Sequence, residues 1–220
     1  MIAKEIISYY IPAVSCSASG EDVLALMDEH KCSHYALVDD EVFHGVISDN
    51  DIYDLEDSNA PLNSVKKNYI RPFVSVYSHI YEVISIAYEF QLSLIPVVDD
   101  KGHYGGVISL QDLALNFAKI TNSNEPGGIL ILEVNHRDYS LAQAAQIIES
   151  DNAKVLSSYI YSLPDSLKID LVLKINKKDL SAIMSSFSRY QYTVKASYHE
   201  SRFDEDIQRK YEQFMNYLNM

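Results

Sequence analysis

Apolar residues in the first 121 positions arrive in two matching sets. Val23, Leu26 and Met27 share one face of a predicted helix, and Val83, Ala87 and Phe90 do the same in a second one. Tyr35 to Val38 and Leu94 to Val98 are nearly continuous apolar runs, the pattern of strands buried on both faces. Each run ends on Asp-Asp and is followed by a third apolar stretch. There Gly45-Val46-Ile47-Ser48-Asp49-Asn50-Asp51-Ile52 returns 61 positions later as Gly106-Val107-Ile108-Ser109-Leu110-Gln111-Asp112-Leu113, with five of eight residues identical. Further back, Pro12-Ala13-Val14-Ser15 aligns with Pro72-Phe73-Val74-Ser75. Each copy therefore reads strand, helix, strand, turn, strand, helix. A duplicated unit of this size predicts two half-domains around one core, with repeats at about 1–61 and 62–121.

Residues 122–128 are polar and rich in turn formers, so they read as a linker. A different order follows over 129–199. Ile129 to Val134 is an apolar strand. Leu141, Ala144, Ala145 and Ile148 then take helical spacing behind Ser140 as N-cap. Ala153 to Tyr161 is a strand, and Leu163-Pro164-Asp165-Ser166 is a turn. Leu167, Ile169, Leu171, Leu173 and Ile175 alternate with Lys168, Asp170, Val172 and Lys174, a half-buried strand with Val172 on its outward register. Leu180, Ile183, Met184 and Phe187 give a second helix, capped by Asn176, and Tyr192 to Tyr198 a last strand. The order βαββαβ is that of a split ferredoxin-like fold. Over 200–220, Phe203, Ile207, Tyr211, Phe214 and Leu218 line one face of an amphipathic tail helix, which needs a surface to cover.

Charge and composition narrow the partners. A net charge of −13 argues against nucleic acid, whose phosphates demand clustered Lys and Arg. No apolar run approaches the length of a membrane span, and no signal core opens the chain. Two cysteines, Cys16 and Cys32, read as reduced thiols and a cytoplasmic location. No Walker loop, nucleophile elbow or His-Glu-x-x-His run is present, so no catalytic residue is expected. His30, Cys32 and His34 straddle a helix end and a strand start, where their side chains diverge, so no metal ligand is expected either. His44 and His103 occupy related loops, either as exposed loop histidines or as residues lining clefts.

The chemistry worth weighing is the doubled Ser-x-x-Asp at the strand-to-helix junctions. Such a run is a capping box and needs no ligand. It also sets a hydroxyl and a carboxylate at a helix N-terminus, where free N–H groups and a partial positive charge attract phosphate. The two copies differ. The first crowds Asp49, Asp51 and Asp54 together, which opposes an anion, whereas the second has Leu110 and Gln111 there and is preceded by Lys66, Lys67 and Arg71. If one cleft is occupied, the residues favour the one with Ser109 and Asp112.

The paired Pro-x-Val-Ser strands, the apolar-Val-Asp-Asp ends and the two Gly-Val-Ile-Ser-x-x-Asp runs resemble a tandem pair of CBS domains, a Bateman module. The resemblance implies an α+β/α/β fold and adenine-nucleotide clefts between the halves. Carried over, Ser48 and Asp51 would serve one cleft, Ser109 and Asp112 the other. Ala13, Val14, Phe73 and Val74 would flank bases, with Arg71 beside the second cleft. The ligand implied is AMP, ADP, ATP or another adenosine compound, with no cofactor required. Residues 129–199 resemble an ACT domain in element order. Their first loop, Asn135-His136-Arg137-Asp138-Tyr139, lacks the Gly common in amino-acid-binding members, so assembly is the better expectation. The layout is similar to that of bacterial acetoin-utilisation accessory proteins. A homodimer acting on an unidentified regulated protein is expected. The alternative is a structural or adaptor dimer with empty clefts that interacts through its ACT-like domain.

Overall fold

The first repeat runs through α1 (Gly20–His30), β1 (His34–Asp39), β2 (Val42–Ser48) and α2 (Asp49–Tyr53). The second runs through β3 (Val74–Ser75), α3 (Ile80–Glu89), β4 (Leu94–Val98), β5 (Tyr104–Ser109) and α4 (Leu110–Ile120). These elements come from a computed structural model that describes residues 1–64, 69–162 and 166–199. The chain divides into two units, Met1–Phe117 and Ala118–Met220. The predicted tail helix, Lys66, Lys67 and most of the Leu163-Pro164-Asp165-Ser166 turn lie outside the described residues.

Local chemistry sets the element ends. Ser19 accepts from the Asp22 N–H and Asp22 answers at the Ser19 backbone, a capping box that starts α1. The helix stops where Lys31 turns left-handed, and Gln91 does the same after α3. β4 is buried along its whole length, as its continuous apolar run requires. β1 and β2 pair antiparallel, as do β4 and β5, while β3 lies parallel to β4. In the first repeat the counterpart of β3 is a single parallel bridge, Val14 to Leu37. Val14, Val23, Met27, Leu37, Ile47 and Ile52 pack in one cluster with Leu92, Leu94, Val98 and Val107, so the repeats share a core. Phe90 departs from expectation. It is the C-cap of α3, outside the helix whose spacing buries Val83 and Ala87, and is 38% exposed.

The second unit contains β6 (Gly128–Asn135), α5 (Leu141–Ser150), β7 (Val155–Ser162), β8 (Lys168–Ile175), α6 (Ser181–Arg189) and β9 (Thr193–His199). Its sheet order is β7-β8-β6-β9, antiparallel throughout, which is the ferredoxin-like arrangement. Leu130, Leu132, Leu171, Leu173 and Ile175 face Ala144, Ile148, Ile183 and Phe187 in the core. Leu167 precedes β8 and is exposed rather than buried with that set. Val172, expected outward and open, is only 6% exposed. It sits on a central strand between its cross-strand partners Ile131 and Tyr159, which shield it. Nor does Asn176 cap α6. Its Oδ1 accepts from the Lys154 N–H at 2.6 Å, while Asp179 Oδ1 accepts from the Ser181 N–H at 2.9 Å. The helix begins later than the apolar spacing implies, so the nearer carboxylate reaches its first N–H.

Candidate functional site

The segment that leads into each repeat packs on the other repeat. Ala3, Lys4 and Ser8 tie the N-terminal segment to the second repeat through Ala3 N–H to Ser78 O, Lys4 N–H to Val76 O and Ser8 N–H to Val107 O. In return the Val46 N–H donates to Ile70 O at 2.9 Å. Gly45 and Gly106 make these crossings. Both have positive φ (154° and 132°), and a Cβ on either would meet the crossing segment at 2.7 Å from Tyr69 Cβ or 2.6 Å from Ile7 Cγ2. Each sits beside a β-bulge, since pairing slips at Leu37/Val38 and again at Val97/Val98.

The crossing brings two hydroxyls that sequence reasoning missed onto Asp112. Its Oδ2 accepts from Ser109 Oγ at 2.8 Å, from Tyr10 Oη at 3.0 Å and from Ser8 Oγ at close range. Ser8 Oγ also accepts from the Ser109 N–H at 3.0 Å, and Ser109 Oγ accepts from the Asp112 N–H at 3.0 Å. Partial burial pushes the Asp112 carboxyl up, but the hydroxyl donors outweigh it and hold the group below its ordinary value. Asp112 is thus an anion at pH 7, at the first turn of an eleven-residue helix, gathering hydroxyl groups. Tyr10, which donates to Asp112, is itself 56% exposed. Nothing in the local sequence marks this contact. Ser8 and Tyr10 are 104 and 102 residues from Asp112.

The Asp51 site is built the same way but finished differently. Asp51 Oδ2 accepts from the Ser48 N–H and Oγ, each at 2.8 Å, and Ser48 Oγ caps the Asp51 N–H at 3.1 Å. The helix it opens, α2, has five residues and a weaker dipole than α4. The position matching Tyr10 is Ile70, which has no hydroxyl to offer. Tyr69 Oη is buried without a hydrogen-bond partner. Burial, then the charge of Asp51, pushes its phenol above the usual value.

Adjacency in sequence grouped Arg71 with Ser109, but the crossing carries it to the first repeat. Its Nη2 donates to Phe43 O at 2.6 Å, and the Phe73 ring meets Phe43 edge-on at 6.4 Å. Val14 and Val74 are core residues, whereas Ala13 is half-buried and Phe73 half-exposed. Of the four apolar candidates, Ala13 and Phe73 therefore have surface for a base to cover.

The two histidines flanking Cys32 have different neighbours. His30 Nδ1 lies 2.7 Å from Tyr35 Oη, and His34 Nδ1 3.1 Å from Ser93 Oγ, so the two rings are held by different neighbours. Burial keeps His34 below its ordinary value and Cys32 above it. In the second unit, a cavity of about 390 Å³ opens at the loop after β6. Its polar groups pair among themselves: Lys168 donates to Glu133, Asn135 to Asp138, and Tyr192 to Gln143.

A family model, the CBS domain, matches residues 3–57 and again 65–119. Among solved structures, the chain is similar to a CBS domain pair/ACT domain protein from Thermotoga maritima, at 25% identity over 54% of this chain and 98% of that one, TM-score 0.47. It is also similar to the CBS domains of a transcriptional regulator from Streptococcus pneumoniae, at 16% identity over 52% of this chain and 98% of that one, TM-score 0.45. A third is CBSX2 in complex with AMP, at 19% identity over 54% of this chain and 97% of that one, TM-score 0.45.

Proposed function

Since the chain belongs to the CBS-domain family, with the domain present twice at residues 3–57 and 65–119, we propose that it is a ligand-sensing regulatory protein binding an adenosine-containing nucleotide. The observation that carries this is the hydroxyl cluster on Asp112. A carboxylate that already accepts from Ser8, Tyr10 and Ser109 has the charge and placement to accept from a ribose diol. The ribose hydroxyls would take over from Tyr10, the most exposed of the three donors, and the phosphates would lie toward the N-terminus of α4. Ala13 and Phe73 offer surface to flank a base, and the Ser48 and Asp51 cleft is the second candidate. Catalysis is not part of the proposal, because no activated nucleophile accompanies either carboxylate. A thermal-shift panel of AMP, ADP, ATP, S-adenosylmethionine, NAD and amino acids is the test. An adenosine compound at 100 times its Kd should stabilise the fold by about 2.7 kcal/mol. A flat response to every member rejects the assignment.

The same cluster also favours a second reading. Asp112 is satisfied by the chain's own hydroxyls, as a structural adaptor with empty clefts would require. The panel separates the two.

Dimerisation belongs to both. Tyr88 on α3 and Leu110 on α4 are exposed, and with Ile84, Ala87, Leu92 and Leu113 they line a groove of about 320 Å³. An exposed apolar groove of this kind is a candidate interaction site. A two-fold partner would bury the groove on both copies with one operation. The ferredoxin-like unit, read as an ACT-like assembly domain, leaves a second open face at Tyr159 and Tyr161, on the side of its sheet that carries Val172. Light scattering behind size exclusion should give about twice the 25.0 kDa chain mass at micromolar concentration, in a cytoplasmic-type reducing buffer. A single 25.0 kDa species would reject the dimer.

A further inference from the structure

We propose that Cys16, Asp39 and His44 form a transition-metal site on the first repeat, suited to zinc. A thiol sulfur, a carboxylate oxygen and an imidazole nitrogen all lie within 4.8 Å of one another. They come from three places in the chain. Cys16 follows the Val14 bridge, Asp39 ends β1, and His44 belongs to β2. The β-bulge assembles them. Val38 pairs with Phe43 and Leu37 with Gly45, so His44 is the extra residue between them. A bulge re-aims the side chain it carries. Here it sets His44 Nε2 3.9 Å from Asp39 Oδ2.

Asp39 is already oriented for such a role. Its Oδ1 accepts from Ser15 Oγ at 2.8 Å and from the Cys16 N–H at 3.1 Å, which leaves Oδ2 turned toward His44. Hydrogen bonds of this kind fix a metal-binding carboxylate in place. Zinc bonds of about 2.0–2.3 Å in a tetrahedron put donors roughly 3.3–3.8 Å apart. The cluster needs to contract by about 1 Å to reach that. Because His44 is exposed and Cys16 half-buried, a side-chain rotation can supply the contraction, and water can reach the fourth position. A thiolate with an imidazole selects zinc and its neighbours over magnesium or calcium.

The second repeat shows what the fold does without these donors. Its bulge pairs Val97 with Gly106 and Val98 with Tyr104, so the residue matching His44 is Gly105. The residue matching Cys16 is Val76. Asp99 remains, but its Oδ1 accepts from the Lys101 and His103 N–H groups and closes a turn. Val76, Asp99 and Gly105 line an open cavity of about 370 Å³. Two substitutions between the repeats therefore convert a cavity wall into a three-donor cluster.

Cobalt(II) chloride titrated into the reduced full-length chain reports the ligands directly. The expected result is one cobalt per chain, with a thiolate-to-metal charge-transfer band in the near ultraviolet and visible bands of tetrahedral strength, all bleached by zinc chloride. Cys16→Ser should abolish the charge-transfer band, and Cys32→Ser should retain it. His44→Gln, at an exposed position that does not threaten folding, should weaken zinc binding at least about tenfold. A charge-transfer band that survives Cys16→Ser or disappears in Cys32→Ser overturns the proposal. So does cobalt binding with no thiolate band in wild type, or zinc affinity unchanged in His44→Gln. Nucleotide binding is not part of the readout, so the site stands or falls independently of the cleft.

Discussion

With AMP, ADP or ATP in the calorimeter, the Asp51→Ala, Asp112→Ala double variant is expected to lose the binding that wild type shows, and Tyr10→Phe to bind more tightly. A carboxylate that accepts ribose hydroxyls contributes about 1.5–3 kcal/mol, so Asp112→Ala alone should weaken binding by roughly 10- to 150-fold. Asp51 also closes a capping box with Ser48, and Asp112 holds the hydroxyls of Ser8, Tyr10 and Ser109, so each loss also lowers the stability of the fold. Ligand-induced stabilisation must therefore be measured against each variant's own apo state. Tyr10→Phe isolates the competition. It keeps the ring and removes the hydroxyl that occupies Asp112 Oδ2 at 3.0 Å. A partly solvated hydrogen bond of this kind is worth about 0.5–1.5 kcal/mol, so affinity should rise about 2- to 12-fold. Equal affinity in wild type and the double variant would remove both clefts from the proposal. Weaker binding in Tyr10→Phe would show that the ligand uses the phenol rather than displaces it.

The second large effect is on the frame that holds Tyr10 in place. Gly106→Val is expected to destabilise the first unit by about 3–5 kcal/mol, as the sum of a positive-φ penalty and overpacking. Gly106 has φ 132°, and its added Cβ would stand 2.6 Å from Ile7 Cγ2. Relief requires the N-terminal segment to lift from the second repeat, and that segment carries Ser8 and Tyr10. Thermal unfolding should show the loss. Hydrogen exchange should show faster exchange at the Ala3, Lys4 and Ser8 amides, which donate to Ser78, Val76 and Val107. Gly105→Ala is the control. The nearest atom to its Cβ would be 3.5 Å away, so it should be close to neutral. A stable Gly106→Val with unchanged exchange at Ser8 would mean that the segment does not depend on this crossing.

Much of the architecture was legible along the chain, because the signals are local. The alternation of β8 buries Ile169, Leu171, Leu173 and Ile175, and the spacing of α5 buries Ala144 and Ile148, since a side chain's face follows from its own backbone period. The repeat is visible for the same reason. Ser48 with Asp51 and Ser109 with Asp112 are three residues apart, so their mutual hydrogen bonds are set within one helical turn. A local signal failed where a distant group competed for it. Asn176 has the side chain of a helix cap, but a backbone amide of the neighbouring loop, that of Lys154, claimed it.

By itself, then, the sequence determined the two repeats, from a motif that returns 61 positions later, and the βαββαβ order of the second unit and the pair of Ser-x-x-Asp runs, both written in spacings of two to seven residues. The tertiary structure alone decided what surrounds those carboxylates. It sent each leading segment to the opposite repeat, which put Tyr10 and Ser8 on Asp112 and Arg71 on Phe43. It also used a bulge to turn His44 toward Asp39, 23 residues beyond Cys16. Apart from the approach of His44 to Asp39, these contacts join residues 23 to 104 positions apart. Such pairs meet only because the shared apolar core closes the chain on itself, and the energy of that closure is spread over many side chains with no preference for the polar groups it brings together.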